Sequence, residues 1–194
     1  MAVSATISKP DSISDLTPST PMGEVLRAFP GAKRSLFARY HIGGCSSCAY
    51  AETETIAEVC ARNENLPTDE VIAHILSAHE HDLAMMIEPA ALAEALASAN
   101  PPRLLDLRTR EEYEAVVLPG AELFSQDLSS ALFATETKDR AIVLYDHTGD
   151  RVLDTTAFLI GHGFANARAL RGGIDAYARE VDSDIARYRL EFDE

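Results

Sequence analysis

The pattern of hydrophobic and polar residues changes near Glu88–Pro89. Before this point apolar residues recur at helical spacing, which predicts a small all-α domain. After it, short apolar runs alternate with amphipathic stretches, which predicts strands separated by helices and therefore a mostly parallel sheet. The fold class that follows is α/β: a small N-terminal all-α domain, then a mostly parallel sheet flanked by helices.

Four helices are predicted in the first region. They cover 22–28, 31–40, about 49–63, and a stretch that begins at Thr68, a residue suited to cap a helix. The last of them either continues through the polar residues 79–82 or breaks there. An apolar stripe on the first two helices is expected to face the core and comprises Val25, Leu26, Phe29, Leu36, Phe37 and Tyr40.

The second region is expected to alternate between helices and strands. The predicted strands are 103–108, 141–145 and 166–170, with a further extended segment at 122–124. The predicted helices are 89–98, 110–115, 127–134, 152–162 and 174–180. Thr109 is placed to cap the second of these helices, and Gly163 is placed to end the fourth.

A six-residue polar loop opens directly from the end of the predicted strand 141–145, and a helical run follows it at once. The loop consists of Asp146, His147, Thr148, Gly149, Asp150 and Arg151. A strand, a tight turn and a helix N-terminus in succession direct several backbone N–H groups at one point, which predicts an anion-binding nest. Sites in parallel sheets lie at the carboxyl ends of the strands, where this loop begins.

Composition limits the classes of partner and location. The net charge of −14 argues against nucleic acid and against an anionic membrane surface as partners. No apolar run approaches the length of a membrane span. Residues 1–20, rich in Ser, Thr and Pro, are expected to form a disordered leader and not a signal peptide, which predicts a cytoplasmic protein. The other predicted segments are a helical domain at 21–87, an α/β domain at 88–182 and an acidic C-terminal tail at 183–194.

Four motifs, in order across about 89–181, resemble the rhodanese family. They are Leu105-Asp106-Leu107-Arg108-x-x-Glu111-Glu112-Tyr113, Leu118-Pro119-Gly120-Ala121, the strand with its six-residue loop, and Leu170-Arg171-Gly172-Gly173-Ile174-Asp175-Ala176-Tyr177. The resemblance implies the rhodanese fold, and Asp106 and Arg108 are taken as supporting residues of the site. It also implies that the first loop residue is the position of the family's sulfur-bearing cysteine. Here that residue is Asp146, and Val117 stands where the family often has a histidine.

A carboxylate cannot form a persulfide or pass on a sulfur atom, so rhodanese-type sulfurtransferase activity is not expected. One role for Asp146 is structural: its carboxylate would fill the loop's own nest and accept the hydrogen bonds that a substrate anion would otherwise take. The alternative is a phosphate-accepting aspartate loop, although the carboxylates and lysine needed for Mg²⁺-assisted transfer are not evident. Arg151 is expected to pair with Asp106 or Asp146 and not to bind an anion.

The second candidate site is the pair Cys45 and Cys48 in Gly44-Cys45-Ser46-Ser47-Cys48. A Cys-x-x-Cys where a turn enters a helix allows the two sulfurs to form a disulfide or to bind one metal ion. With Glu54-Thr55-Ile56-Ala57-Glu58 and Cys60, the stretch of about 16–75 resembles the helical "disulfide" family associated with hybrid-cluster protein. That resemblance implies a redox-active pair of cysteines. The chain departs from the family at Gly43-Gly44, where a bulkier residue is usual.

A complete metal site has less support. If the third helix is continuous, Cys60 lies about 18 Å beyond Cys48, outside a shared coordination sphere, and is predicted to be a small core residue. A metal would then need His41, His74 or a second subunit besides the Cys pair. His79 and His81 are assigned to the surface, and His162 is assigned to a helix end.

Three functions follow from these features. The first is a sulfur or redox accessory protein whose non-catalytic α/β domain binds a protein partner, a small anion or a sulfur species; it is preferred because it demands no unsupported chemistry. The second is a sulfurtransferase or persulfide carrier that uses Cys45 or Cys48. The third is a metal or iron–sulfur carrier that uses the Cys pair across a homodimer. No resident cofactor is expected, and zinc or an iron–sulfur cluster is the alternative at Cys45 and Cys48.

Overall fold

The computed structural model describes residues 16–43, 49–149 and 151–188. The chain divides into two compact units between His81 and Asp82. The hydrophobic pattern places the boundary a few residues later, at Glu88–Pro89, because the alternation of strands and helices becomes visible only there. Each unit has its own buried apolar residues.

The first unit is helical. Its helices are α1 (Met22–Ala28), α2 (Ala32–Tyr40), α3 (Ile56–Arg62) and α4 (Thr68–Ala84), the last of which runs past the division. Inward side chains of these helices and of the turns that follow α1 and α2 form a core that comprises Met22, Val25, Phe29, Ala32, Leu36, Ile42, Ile56, Val59, Cys60, Val71 and Ile75. The predicted inward stripe is wrong at Phe37, which is 48% exposed. Phe37 is one position after the buried Leu36, so the helical turn carries its side chain away from the core.

The third helix is shorter than predicted, because it begins at Ile56 and not near residue 49. A capping box starts it there: the Thr55 hydroxyl accepts from the N–H of Glu58, and the Glu58 carboxylate accepts from the N–H of Thr55 at 2.8 Å. The segment before the box lies outside the helix, and its Ala49 carbonyl accepts a 2.7 Å hydrogen bond from the Arg62 guanidinium. A cap and a side-chain contact therefore override the helical pattern of 49–55.

The fourth helix passes through the polar stretch 79–82 without a break, and Thr68 is its first residue and not a cap ahead of it. The prediction that His79 lies at the surface is wrong. Its ring packs edge-on against Phe29, with centroids 5.0 Å apart. His79 follows Ile75 by four positions and so shares its inward face. His81 is exposed, as predicted.

The second unit alternates between strands and helices, as predicted. In chain order the elements are β1 (Met86–Ile87), α5 (Pro89–Leu96), β2 (Arg103–Asp106), α6 (Arg110–Ala115), β3 (Glu122–Leu123), α7 (Gln126–Thr135), β4 (Ile142–Tyr145), α8 (Val152–Gly161), β5 (Ala167–Leu170) and α9 (Gly173–Glu180). The sequence did not predict β1, because a strand of two residues shows no hydrophobic period.

These strands form a parallel sheet in the order β1-β5-β4-β2-β3. Leu104 and Leu105 of β2 belong to different cores, as do Val143 and Leu144 of β4, because successive strand residues point to opposite faces. Helices α7 and α8 cover one face, and α5 and α9 cover the other. This arrangement confirms the predicted α/β class, and it places the C-terminal end of β4 between β5 and β2.

Two predicted helix signals also hold. Thr109 caps α6 in a capping box with Glu112, and Gly163 follows α8 with φ of 97°. None of the helices in the described ranges combines the length and the apolar character needed to cross a membrane.

Candidate functional site

The candidate site is the loop that follows β4 near the middle of the sheet. The first N–H groups of α9 bind its backbone: Ile174 donates to the Asp146 carbonyl at 3.0 Å, and Asp175 donates to the His147 carbonyl at 3.1 Å. The start of α8 follows the loop directly. Asp150, which the sequence includes in the loop, lies outside the described residues.

The Asp146 side chain accepts hydrogen bonds from the backbone of its own loop. Its Oδ2 accepts from the N–H groups of Arg151 at 2.8 Å and Val152 at 3.0 Å, and its Oδ1 accepts from the N–H of Gly149. The residue is 6% exposed. Two of the donors belong to the start of α8, where a negative charge is favourable. The carboxylate therefore fills the predicted nest itself, as the structural role of Asp146 requires.

This arrangement favours one of the two roles predicted for the loop. Both carboxylate oxygens of Asp146 accept hydrogen bonds from the loop backbone, as the structural role requires. Arg151 contacts Asp146 through its backbone N–H, whereas Asp106 pairs with Arg108. The predicted pairing of Arg151 is therefore wrong for Asp106.

The close approach of α9 to the loop requires glycine at position 173. Gly173 has φ of +59°, and a Cβ atom there would lie 2.5 Å from the carbonyl oxygens of Asp146 and His147. Both the left-handed backbone and the lack of space exclude a side chain. The glycine therefore allows the N–H groups of α9 to reach the loop carbonyls.

Replacing Gly173 with alanine is expected to lower the free energy of unfolding by about 2–5 kcal/mol, because strain in the left-handed backbone adds to the steric overlap. Urea denaturation measures this loss. Gly161→Ala is the matched control, since a Cβ on Gly161 meets nothing within 4 Å; its effect should stay below about 1 kcal/mol. Equal losses in the two variants would contradict the close approach.

Beside the loop, the turn after β2 holds a buried ion pair. The side chains of Arg108 and Asp106 are 1% and 0% exposed. The backbone N–H and Nε of Arg108 each donate to Asp106 Oδ1 at 2.9 Å, and Nη2 donates to the Val116 carbonyl at 2.7 Å. Burial alone would lower the pKa of Arg108, but the hydrogen bonds that its guanidinium donates to Asp106 and Tyr188 raise that pKa above its ordinary value. Asp106 and Arg108, which the sequence analysis takes as supporting residues of the site, thus bind each other in a buried pair beside the loop.

The third guanidinium nitrogen of Arg108, Nη1, contacts the C-terminal segment. Nη1 donates to the Tyr188 hydroxyl at 2.8 Å, and that hydroxyl donates to Glu112 at 2.7 Å. Burial, followed by the hydrogen bond to Glu112, raises the pKa of Tyr188 to about 12. The phenol therefore stays protonated at neutral pH and keeps the proton that it donates.

The same tyrosine covers part of the loop. Its ring stacks on His147, with centroids 4.3 Å apart and planes 10° apart. The neighbouring Arg187 donates to the Asp175 carboxylate at 2.7 Å. A groove lies there, and its lining includes Ile174, Ala178 and Ala186. The sequence assigns 183–194 to an acidic tail; its described residues, 183–188, belong to the second unit, where Arg187 contacts Asp175 and Tyr188 contacts Arg108 and Glu112.

The predicted redox pair, Cys45 and Cys48, lies outside the described residues. On either side of it, Gly43 and Tyr50 approach closely, since a Cβ on Gly43 would meet the Tyr50 ring at 3.2 Å. Cys60 is 1% exposed in the first core, as predicted, and burial raises the pKa of its thiol. A thiol of this kind is unreactive. The 18 Å estimate for Cys48 to Cys60 assumed a longer α3 and does not apply.

Within the described ranges, no group of three or more His, Cys, Asp or Glu side chains could hold a metal ion. His74 is engaged by the first unit, because its Nε2 lies 3.0 Å from the Ser35 carbonyl. His41 ends α2 in a left-handed conformation, with φ of 58°. His162 follows α8, and its Nδ1 lies 2.8 Å from the Phe158 carbonyl, in keeping with a residue at a helix end.

Comparison with known proteins places the second unit in a family. A family model described as "Rhodanese-like domain" matches residues 88–180. A sulfurtransferase of Allochromatium vinosum is 32% identical over 93 residues, which cover 48% of this chain and 87% of that protein. The probable adenylyltransferase/sulfurtransferase MoeZ of Mycobacterium tuberculosis is 35% identical over 104 residues, 53% of this chain and 26% of MoeZ. The match thus spans only about a quarter of that longer relative. The chain belongs to the rhodanese-like family through its second unit.

Among solved structures, a rhodanese-like domain protein of Staphylococcus aureus is 23% identical. The alignment covers 54% of this chain and 98% of that one, with a TM-score of 0.44.

The sequence did not reveal the role of Tyr188 or its contact with Glu112. Glu112 stands three residues after Thr109, so its capping role is readable from the sequence. Its contact with Tyr188 joins positions 76 residues apart, and no local pattern signals such a contact.

Proposed function

We propose that this chain is a sulfur or redox accessory protein. Its rhodanese-like domain is a non-catalytic binding module in which Asp146 occupies the position of the family's sulfur-bearing cysteine. Cys45 and Cys48 form a redox-active pair in the first unit. Membership of the family and the relatives that are named as sulfurtransferases support a sulfur-related role.

The observation that carries the proposal is the filled nest. The N–H groups of Gly149, Arg151 and Val152 converge on the Asp146 carboxylate. In a loop that transferred sulfur, such donors would face a thiolate or its persulfide. The carboxylate has no sulfur to transfer, and it already uses the donors, so the loop keeps the geometry of a nest without the chemistry of a transferase.

A filled nest favours a protein partner over a small anion. A free anion would find these three donors engaged and would meet the negative charge of Asp146. A protein can instead contact the outer surface of the loop, where Thr148 is exposed and His147 is half-buried. Recognition would then depend on the loop's shape and on its flanking side chains.

The cysteine pair supplies the redox half of the proposal. A Cys-x-x-Cys dithiol that closes to a disulfide loses two hydrogens and passes two electrons to an acceptor. Cys60 does not compete for this chemistry, because it is buried and its thiol pKa is raised.

The test is the intact mass of the full chain, prepared with and without air, together with a sulfur-transfer assay on the same samples. We expect a reversible loss of two hydrogens on oxidation, with no added sulfur and no bound metal. Thiocyanate formation from thiosulfate and cyanide should not exceed the rate without protein. Cys45→Ser and Cys48→Ser should each abolish the mass change, since a disulfide needs both sulfurs.

Cys60→Ala is the matched control for the two serine variants, and it should retain the mass change. Added sulfur, with turnover lost in Cys45→Ser or Cys48→Ser, would replace the proposal with a persulfide carrier. Zinc or iron that is bound in stoichiometric amount and lost in both variants would replace it with a metal carrier.

A further inference from the structure

We propose that the mouth of the Asp146 loop carries a tyrosine-binding socket, and that Tyr188 of the same chain occupies it. The socket comprises Arg108, Glu112 and His147. Residues 182–188, called here the C-terminal strap, then cover the loop. This inference goes beyond the sulfur-related role and does not depend on the state of the cysteine pair.

His147 supplies the surface for the aromatic ring. The rings of His147 and Tyr188 are nearly parallel, at 10°, with 4.3 Å between centroids. Such a stack excludes water from the facing surfaces of both rings. The backbone of His147 is itself held by α9, because its carbonyl accepts from Asp175 at 3.1 Å. The stack therefore joins the strap to a loop residue whose backbone is bound by α9.

Arg108 and Glu112 recognise the hydroxyl. The hydroxyl accepts from the Arg108 guanidinium at 2.8 Å and donates to the Glu112 carboxylate at 2.7 Å. A phenol can do both at once, whereas a phenylalanine ring can do neither. Both recognition groups are positioned without the tyrosine, since Asp106 holds Arg108 and the capping box of α6 holds Glu112. Two of the three socket residues thus have partners other than Tyr188.

Further contacts anchor the rest of the strap. The Arg187 guanidinium pairs with the Asp175 carboxylate at 2.7 Å, which places a charge contact next to the socket. Ile185 packs against one core of the second unit. Asp182 begins the strap with a turn, because its carboxylate accepts from the N–H of Asp184 at 3.1 Å. Apolar, charged and aromatic contacts all hold the strap in the same position.

The consequence is competition at the loop. A macromolecule that contacts His147 from outside must displace the Tyr188 ring, and it then meets the released donor of Arg108 and the carboxylate of Glu112. The strap is therefore an autoinhibitory contact. A group that replaced Tyr188 in the socket would need the chemistry of a phenol side chain.

The test is the position of the histidine ring protons in the NMR spectrum of the full chain. The ring current of a stacked tyrosine shields the His147 protons. In Tyr188→Ala we expect the His147 signals to move downfield, to the position of an exposed imidazole such as that of His81. The signals of His81 and His162, both exposed, should not move.

Two milder variants separate the contacts and remain informative if Tyr188→Ala does not fold. Tyr188→Phe keeps the ring but loses both hydroxyl bonds, so the His147 shielding should fall part of the way. Arg187→Ala removes the charge anchor and should act in the same direction. Arg110→Ala is the matched control for Arg187→Ala. The side chains of Arg110 and Glu114, which form an ion pair, are 70% and 66% exposed, so this variant should leave the His147 signals unchanged.

Three results would overturn the inference. Coincident His147 signals in the natural chain, Tyr188→Ala and Arg187→Ala would show that the strap does not occupy the socket. Full shielding in Tyr188→Phe would show that the site does not select a phenol. Shielding that disappears on dilution of the natural chain would assign the strap to a second copy and exclude an occupant from the same chain.

Discussion

Replacing Arg108 with alanine is expected to lower the free energy of unfolding by about 3–5 kcal/mol. The reason is that the Asp106 carboxylate, whose side chain is 0% exposed, would stay buried without its cation. Of the hydrogen bonds between the two residues, the one from the backbone N–H of residue 108 would remain. The Val116 carbonyl would lose a 2.7 Å hydrogen bond as well. The loss therefore combines an unpaired buried charge with an unsatisfied buried acceptor.

Urea denaturation followed by circular dichroism measures this effect. Arg110→Ala is the control for loss of an arginine as such; its exposed pair predicts a change of less than about 0.5 kcal/mol. The double variant Asp106→Ala/Arg108→Ala should be less destabilised than the sum of the single variants, because removal of both partners leaves no unpaired charge. A loss in Arg108→Ala no larger than in the control would show that the pair is not buried in solution.

Replacing Asp146 with cysteine is expected to produce sulfur transfer from thiosulfate to cyanide. The introduced sulfur would lie where the N–H groups of Gly149, Arg151 and Val152 converge, and donors at the start of α8 stabilise a thiolate. The thiolate attacks the outer sulfur of thiosulfate, sulfite leaves, and a persulfide forms. Cyanide then takes the outer sulfur as thiocyanate and regenerates the thiolate. The measurement is thiocyanate formed with time.

Asp146→Ala is the matched control, since it empties the same nest without supplying a nucleophile and should give no turnover. Both variants are made in a chain that carries Cys45→Ser and Cys48→Ser, so that the turnover belongs to the introduced thiol. Adding Tyr188→Ala in parallel prevents the strap from masking activity, and it should raise the rate. If these variants keep their circular dichroism spectra and still give no turnover, the loop does not form a working nest.

The sequence predicted the fold of the second unit well, because its signals are local. Leu104 and Leu105 alternate between the faces of β2, and Thr109 caps α6 at the predicted residue. The error at α3 has a tertiary cause. Helical periodicity extends back to about residue 49, but the carbonyl of Ala49 is bound by Arg62, thirteen positions later, and the helix starts only at Ile56.

The candidate site was predicted in part. The position of the loop and its nest of N–H groups follow from a strand, a turn and a helix in sequence, whereas the sequence left two roles open for Asp146. The sequence did not predict that Tyr188 covers part of the loop. Tyr188 lies in what reads as a charged tail, and nothing near it in the chain indicates that its ring meets His147.

By itself, the sequence determined the order of helices and strands apart from β1, the parallel α/β class and the position of the loop. These features depend on hydrophobic period, caps and turns within a few residues, so a linear pattern contains them. Only the tertiary structure decided that the Asp106–Arg108 pair is buried, that Tyr188 covers His147, and that its hydroxyl binds Arg108 and Glu112. The Tyr188 contacts join groups that are distant in the chain, and the burial of the ion pair depends on the elements packed around it. Both arise only when the sheet and helices are packed, and burial makes such hydrogen bonds and charges strong.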